Sequence, residues 1–315
     1  LTLSGSASSG TYGVASVTID GSAITDASDG LIVSNAYAGT TGALKFNITG
    51  GAGADSLEGA SGADTLSGGD GADTLAGFTG SDVITGGAGA DSINGGSGSN
   101  TIDGGAGSDT ITVSSGASTD ANSVVGGADN DTITGGAGND TISGDDGADS
   151  IVGGAGNDAL SGGAGADVLS GGGGVDNLTG GAASDTFVVH TLATATTGDA
   201  QTKLAYDVIT DASTGDIVQF GSAGISSGTW SFTSEAISLG AAATYSDYLD
   251  VAAASGTAGV IRWFQFGGNT YIVQDRSTGT TFQNGTDVVV ELTGLVNIQS
   301  GTYAETDTTL SFTIG

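Results

Sequence analysis

Residues 126–188 read GGADNDTIT, GGAGNDTIS, GDDGADSIV, GGAGNDALS, GGAGADVLS, GGGGVDNLT and GGAASDTFV, seven units of nine in unbroken register. Working back, residues 50–112 give seven more: GGAGADSLE, GASGADTLS, GGDGADTLA, GFTGSDVIT, GGAGADSIN, GGSGSNTID and GGAGSDTIT. Between them, ASTDANSVV at 117–125 is a degenerate unit with Asn122 and Val124 in register, preceded by a four-residue bulge at 113–116. Position eight is apolar throughout, from Leu57 to Phe187, and is mostly flanked by Ser or Thr, as a short strand with one inward side chain requires. Positions one, two and four are usually Gly, the residue that tight turns with positive φ accept. Position six is Asp in thirteen units and Asn at 100 and 122. Two strands and two turns make a coil of eighteen residues, and stacking sets equivalent residues ~4.8 Å apart. Such a period marks a solenoid. The predicted fold is all-β, a parallel β-roll over 50–188 with β structure on both sides.

The chain carries 35 Asp plus Glu against 4 Lys plus Arg, a formal net charge of −31, with no Cys, no Pro and one His. That charge repels a phosphate backbone, so nucleic acid is excluded as a partner. There is no basic patch for an anionic membrane surface, and no apolar run of the ~18 residues that a span needs. A zinc site of His and Cys ligands cannot be assembled, nor can a disulfide framework. High net charge often accompanies disorder, but the chain is 37% hydrophobic with a mean hydropathy of +0.12, and its acids are spaced among glycines. One apolar side chain per nine residues cannot offset the ordering of a glycine-rich backbone. Stacked carboxylates add repulsion. Divalent cations seeking oxygen ligands reverse that repulsion, so the roll is expected to be unfolded without them.

The unit G-G-x-G-x-D-x-U-x resembles the calcium-binding nonapeptide of RTX proteins, over residues 50–188. The resemblance implies several Ca²⁺ ions held between turns by Asp carboxylates and backbone carbonyls of alternate units. Carried over, Asp55 shares an ion with Asp73, Asp64 with Asp82, Asp73 with Asp91, Asp131 with Asp149, Asp140 with Asp158, Asp149 with Asp167, Asp158 with Asp176, and Asp167 with Asp185. Asp109 completes the implied ligand set. The pattern departs at Asn100, Asn122 and Gly77-Phe78-Thr79, which puts in question the site using Asp82 and Asn100.

Residues 1–49 read as short strands, TYGVASVTID, GLIVSNAY and ALKFNITG, leading into the solenoid, with Asp20, Asp26 and Asp29 read as water-facing and calcium binding as the alternative. Residues 189–315 read as a mostly β module with one helix at about 239–255 and turns at Gly267-Gly268-Asn269 and Asn284-Gly285. Asp207-Val-Ile-Thr-Asp211 followed by Gly215-Asp-Ile-Val-Gln-Phe220 resembles the stretch that often follows RTX arrays. Further on, LGAAAT…YLD…WFQFGGNTYIV…ELTGLV is similar to the C-terminal end of calcium-dependent RTX surface-layer proteins of Gram-negative bacteria. That resemblance implies an uncleaved type I secretion signal, which the ending TLSFTIG fits. Starting at Leu1 rather than Met, the chain is expected to be a processed form or a piece of a longer one.

No enzyme is expected. Gly224-Ile-Ser-Ser-Gly228 matches G-x-S-x-G, but one match arises by accident in a chain this rich in Gly and Ser, and the single His190 precedes it. Trp230, Trp263, Phe264 and Tyr271 read as C-terminal core; Asp70, Asp103, Asp129, Asp145 and Asp146 lie outside position six and read for the most part as solvated surface, with added ligands as the alternative. The expected function is structural: a secreted, calcium-binding surface-layer protein whose roll folds after type I secretion and supports self-assembly. The expected partners are copies of itself, the secretion machinery, and a cell-surface glycolipid reached through regions outside this chain. A folding module of an exported RTX enzyme or toxin, or an adhesin, is the alternative.

Overall fold

In the computed structural model the residues described are 2–6, 16–23, 25, 30–33, 45–113, 119–189, 207–220, 231–232, 248, 252, 260–275, 288–294, 298–303 and 310–314. His190, Gly224–Gly228, Trp230, Asp26, Asp29 and the Asn284-Gly285 turn lie outside them. The chain divides into two compact units, Leu1–Gly165 and Ala166–Gly315.

In the first unit the nonapeptides form two parallel sheets. One contains Lys45–Gly51, Thr65–Asp70, Val83–Ala88, Thr101–Ala106, Ser123–Ala128, Thr141–Asp146 and Ala159–Ala164. The other contains Ile32–Val33, Ser56–Glu58, Thr74–Ala76, Ser92–Asn94, Thr110–Thr112, Thr132–Ala137 and Ser150–Ala155. Partners are eighteen residues apart, Thr65 against Val83 and Val83 against Thr101, so each coil is two nonapeptides as predicted. The step widens to 22 across the degenerate unit, where Thr101 pairs with Ser123. The position-eight side chains stack inward; Leu57, Ile84, Ile111 and Ile133 are each at most 1% exposed.

The ladder reaches past the repeat on its N-terminal side. Lys45–Gly51 pairs in parallel with Thr65–Asp70, and Ser16–Asp20 with Lys45–Gly51. Thr2–Ser6 then adds antiparallel to Ser16–Asp20. Val113, assigned to the bulge from the spacing, proves to be part of the ladder. Its N–H donates to the Thr134 carbonyl at 2.8 Å, just as Gly95 donates to Thr112 and Gly77 to Asn94. Val113 therefore takes the position-one place and is 2% exposed, so the four extra residues follow it.

The second unit begins as the same solenoid. Val168–Gly173 pairs in parallel with Thr186–Val189, which pairs with Ile217–Phe220. Asn177–Ala182 pairs in parallel with Asp207–Ile209. Pairing then turns antiparallel: Val260–Phe266 and Asn269–Asp275 form a hairpin, with Val288–Leu292 on its far side. Gly267 and Gly268 link the hairpin with φ of 61° and 95°, the double positive φ of the tight turns that match strand twist. Phe264 stacks between Tyr248 and Tyr271, with ring centroids at 5.1 and 5.2 Å, and Trp263, Phe264 and Tyr271 are buried core residues. Of the predicted helix at 239–255 only Tyr248 and Ala252 are described, both helical. Among the described residues no helix is long and apolar enough to cross a membrane.

Candidate metal centre

Each position-six residue ends a turn and opens a strand, so the stacked strands align these residues in two columns within the first unit. Asp55, Asp73, Asp91, Asp109, Asp131 and Asp149 precede the strands of one sheet. Asp64, Asp82, Asn100, Asn122, Asp140 and Asp158 precede those of the other. All are at most 4% exposed.

The two oxygens of each carboxylate differ. Oδ1 accepts the backbone N–H of the position-six residue one coil earlier: Asp55 N–H donates to Asp73 at 2.7 Å, and Asp73 N–H to Asp91, Asp91 N–H to Asp109, and Asp109 N–H to Asp131, each at 2.8 Å. In the second column Asp64 N–H donates to Asp82 at 2.8 Å and Asp140 N–H to Asp158 at 2.9 Å. Asp131 N–H donates to Asp149 at 2.8 Å, and in the second unit Asp167 N–H donates to Asp185 at 2.9 Å. These contacts join the predicted partners. Asp149 and Asp167 belong to different units, as do Asp158 and Asp176.

Oδ2 of Asp73, Asp82, Asp91, Asp109, Asp131 and Asp140 is buried and accepts no hydrogen bond. A buried carboxylate oxygen without a partner is costly. Burial, opposed by the N–H bond on Oδ1, accordingly raises the Asp73 and Asp91 pKa values to about 6 and those of Asp82 and Asp131 to about 7. Asp109, Asp140 and Asp149 are pushed up by the same cause. At the N-terminal end the pattern stops. Asp55 Oδ2 accepts from Gly51 N–H at 2.6 Å and Asp64 Oδ2 from Ala60 N–H at 2.5 Å, while Leu31 and Phe46 supply the N–H groups on their Oδ1 atoms.

The glycine at position one keeps open the volume that Oδ2 faces. A Cβ on Gly68 would lie 2.1 Å from Asp73 Oδ2 and 2.5 Å from the Gly86 carbonyl oxygen of the next coil. The donor set is therefore entirely oxygen, anionic and carbonyl, which suits a hard cation such as Ca²⁺ with its six to eight oxygen ligands at ~2.3–2.6 Å. Among the described residues no three His, Asp or Glu side chains converge; the further oxygen donors beside Oδ2 are turn carbonyls such as that of Gly86. Asp70, Asp103, Asp129, Asp145 and Asp146 are exposed and stand apart from these columns.

Sequence reasoning missed two members of the carboxylate ladder within the second unit. Asp176 N–H donates to Asp207 Oδ1 at 3.2 Å and Asp185 N–H to Asp216 Oδ1 at 3.0 Å, across a spacing of 31 in both cases. Asp207 and Asp216 are 1% and 2% exposed. The signal was present as D-x-U-x, in Asp207-Val-Ile-Thr and Asp216-Ile-Val-Gln. The glycine turns that announce each nonapeptide were missing. Asp211 also returns to the ladder, accepting from Gly180 N–H at 2.9 Å and Gly181 N–H at 2.7 Å.

Residues 47–75, 76–111, 117–151 and 152–187 each match the RTX calcium-binding nonapeptide repeat, four copies in all. The segment is thus a calcium-binding β-roll, and proteins with such repeats are typically secreted. No curated protein matches the chain.

Proposed function

We propose that the chain is a calcium-folded structural segment of an exported protein, holding several Ca²⁺ ions along the two carboxylate columns. The supporting observation is the row of buried Oδ2 atoms that no hydrogen bond satisfies, in a segment matching the calcium-binding repeat. The proposed ligands are Asp55, Asp64, Asp73, Asp82, Asp91, Asp109, Asp131, Asp140, Asp149, Asp158, Asp167, Asp176 and Asp185, completed by turn carbonyls. Bound calcium supplies the positive charge that removes repulsion between successive carboxylates. The chain's own part is positional: the N–H on Oδ1 fixes each carboxylate, position-one glycine leaves space beside Oδ2, and the position-eight side chain anchors the strand.

At low calcium the charged columns repel and the glycine-rich backbone stays disordered, a form suited to threading through a type I exporter. Outside the cell, calcium drives folding. The rigid product supports lateral contacts between copies at the cell surface, as the resemblance of residues 235–300 to surface-layer proteins implies, with no catalytic role. Far-UV circular dichroism in EDTA and in millimolar calcium tests the folding step, and an unchanged spectrum counts against it. Electron microscopy tests assembly: calcium-dependent ordered sheets are expected, and soluble monomers in both conditions would leave only the export-and-folding module.

A further inference from the structure

The second column is interrupted at its middle. Asn100 is 1% exposed and Asn122 is 4% exposed, in places that carboxylates hold above and below. Their Oδ1 atoms keep the ladder: Asp82 N–H donates to Asn100 Oδ1 at 3.0 Å and Asn100 N–H to Asn122 Oδ1 at 2.9 Å. The other branch of each side chain behaves differently from a carboxylate. Asn100 Nδ2 donates to the carbonyls of Gly98 at 3.1 Å and Gly96 at 3.4 Å, the positions four and two of its own turn. Asn122 Nδ2 donates to Asp140 Oδ1 at 2.8 Å, adding to the Asn122 N–H at 2.8 Å.

The volume beside these groups is altered as well. A Cβ on Gly95 would meet Ile102 Cδ1 at 2.8 Å and Asn100 Nδ2 at 3.1 Å, with no carbonyl of the next coil among its nearest neighbours. At Gly86 and Gly104 the corresponding neighbours are an Asp Oδ2 and a carbonyl oxygen, at 2.3–2.5 Å. One coil beyond Gly95, the position-one place is held by buried Val113 instead of Gly. An amide N–H₂ satisfies carbonyl and carboxylate oxygens by hydrogen bonding, and an apolar side chain excludes a hydrated ion.

We infer that Asn100, Asn122 and Val113 form a cation-free joint in the second column, where two amides take over the role that calcium plays elsewhere. The second column is thereby split into two separate stretches, Asp64–Asp82 and Asp140–Asp158, while the first column runs unbroken from Asp55 to Asp149. This rests on the calcium reading above.

The test is an ion count on the full chain, by elemental analysis after equilibrium dialysis against saturating calcium. Asn100→Asp would turn a second carboxylate oxygen toward the Gly96 and Gly98 carbonyls, and is expected to raise the count by one. Asn100→Ala is expected to leave the count unchanged while raising the calcium concentration needed for folding. An unchanged count in Asn100→Asp, or a loss of one ion in a folded Asn100→Ala, overturns the joint. Should Asn100→Ala not fold, the Asn100→Asp count decides alone. A wild-type chain that binds no calcium sinks the parent reading instead, so the two failures are distinguishable.

Discussion

The nonapeptide ladder of the first unit and the antiparallel sheet of the second are both built from backbone hydrogen bonds, parallel in one and antiparallel in the other, but have opposite interiors. In the ladder, each nonapeptide strand buries one position-eight aliphatic side chain beside one position-six side chain, a carboxylate everywhere but at Asn100 and Asn122. In the sheet, Trp263, Phe264, Tyr271, Ile272, Val273, Val289, Val290 and Leu292 are buried along three adjacent strands. The sheet can be held by apolar burial and aromatic stacking, which water alone drives. On the calcium reading proposed above, the ladder needs a solute. A solvent condition that dissolves one region should spare the other, and each test below strains that contrast.

Calcium removal should have the largest effect. In a Trp230→Phe background Trp263 is the sole tryptophan. EDTA should then remove most of the far-UV β signal while Trp263 emission stays that of a buried indole. Simultaneous loss of both signals would refute the division.

Gly68→Ala tests the ladder alone. It places a methyl group 2.1 Å from Asp73 Oδ2, and should raise the calcium midpoint of folding at least tenfold, or about 1.4 kcal/mol. A titration curve overlaying the wild type would refute the cradle. Phe264→Ala should destabilise the sheet by ~3–5 kcal/mol. Denaturant melts followed by Trp263 should show the same loss at high and low calcium.

Protons provide an intermediate probe. Asp73, Asp82, Asp91 and Asp131 have folded-state pKa values raised from 3.8 to about 6 or 7, so the calcium-free fold binds more protons than the unfolded chain. Its stability is then greatest below pH ~4 and is lost as pH rises through 6 to 7. Calcium-free protein should regain β signal on acidification toward pH 4. Calcium affinity should fall over the same interval, because ligands must be deprotonated to bind. A calcium-free spectrum flat from pH 7.5 to 4 would contradict this. The smallest effect belongs to Gly268→Ala in the hairpin turn. Its φ is +95° but no atom lies within 4 Å of the added Cβ, so only backbone strain of ~1–2 kcal/mol is expected, visible as a fall of several degrees in melting temperature.

Much of the ladder was legible because its chemistry repeats. The eighteen-residue coil and the inward position eight follow from the period, and the Gly267-Gly268 turn from its dipeptide. Leu31 and Phe46 were not legible as ladder members, because they contribute only a backbone N–H, which leaves no side-chain signature. Val113 was misplaced because a buried aliphatic residue in a glycine position hides the register that its N–H keeps.

The sequence by itself determined the repeat, the parallel stacking and the identity of the acids, since each follows from side-chain type at a fixed interval. Only the tertiary structure decided how the two carboxylate oxygens divide their hydrogen bonds, what the Asn100 and Asn122 amides contact, and that Asp207 and Asp216 join Asp176 and Asp185 in the second unit. Those outcomes depend on which atoms of distant coils meet. A one-dimensional period does not encode that once insertions change the spacing from 18 to 22 or 31.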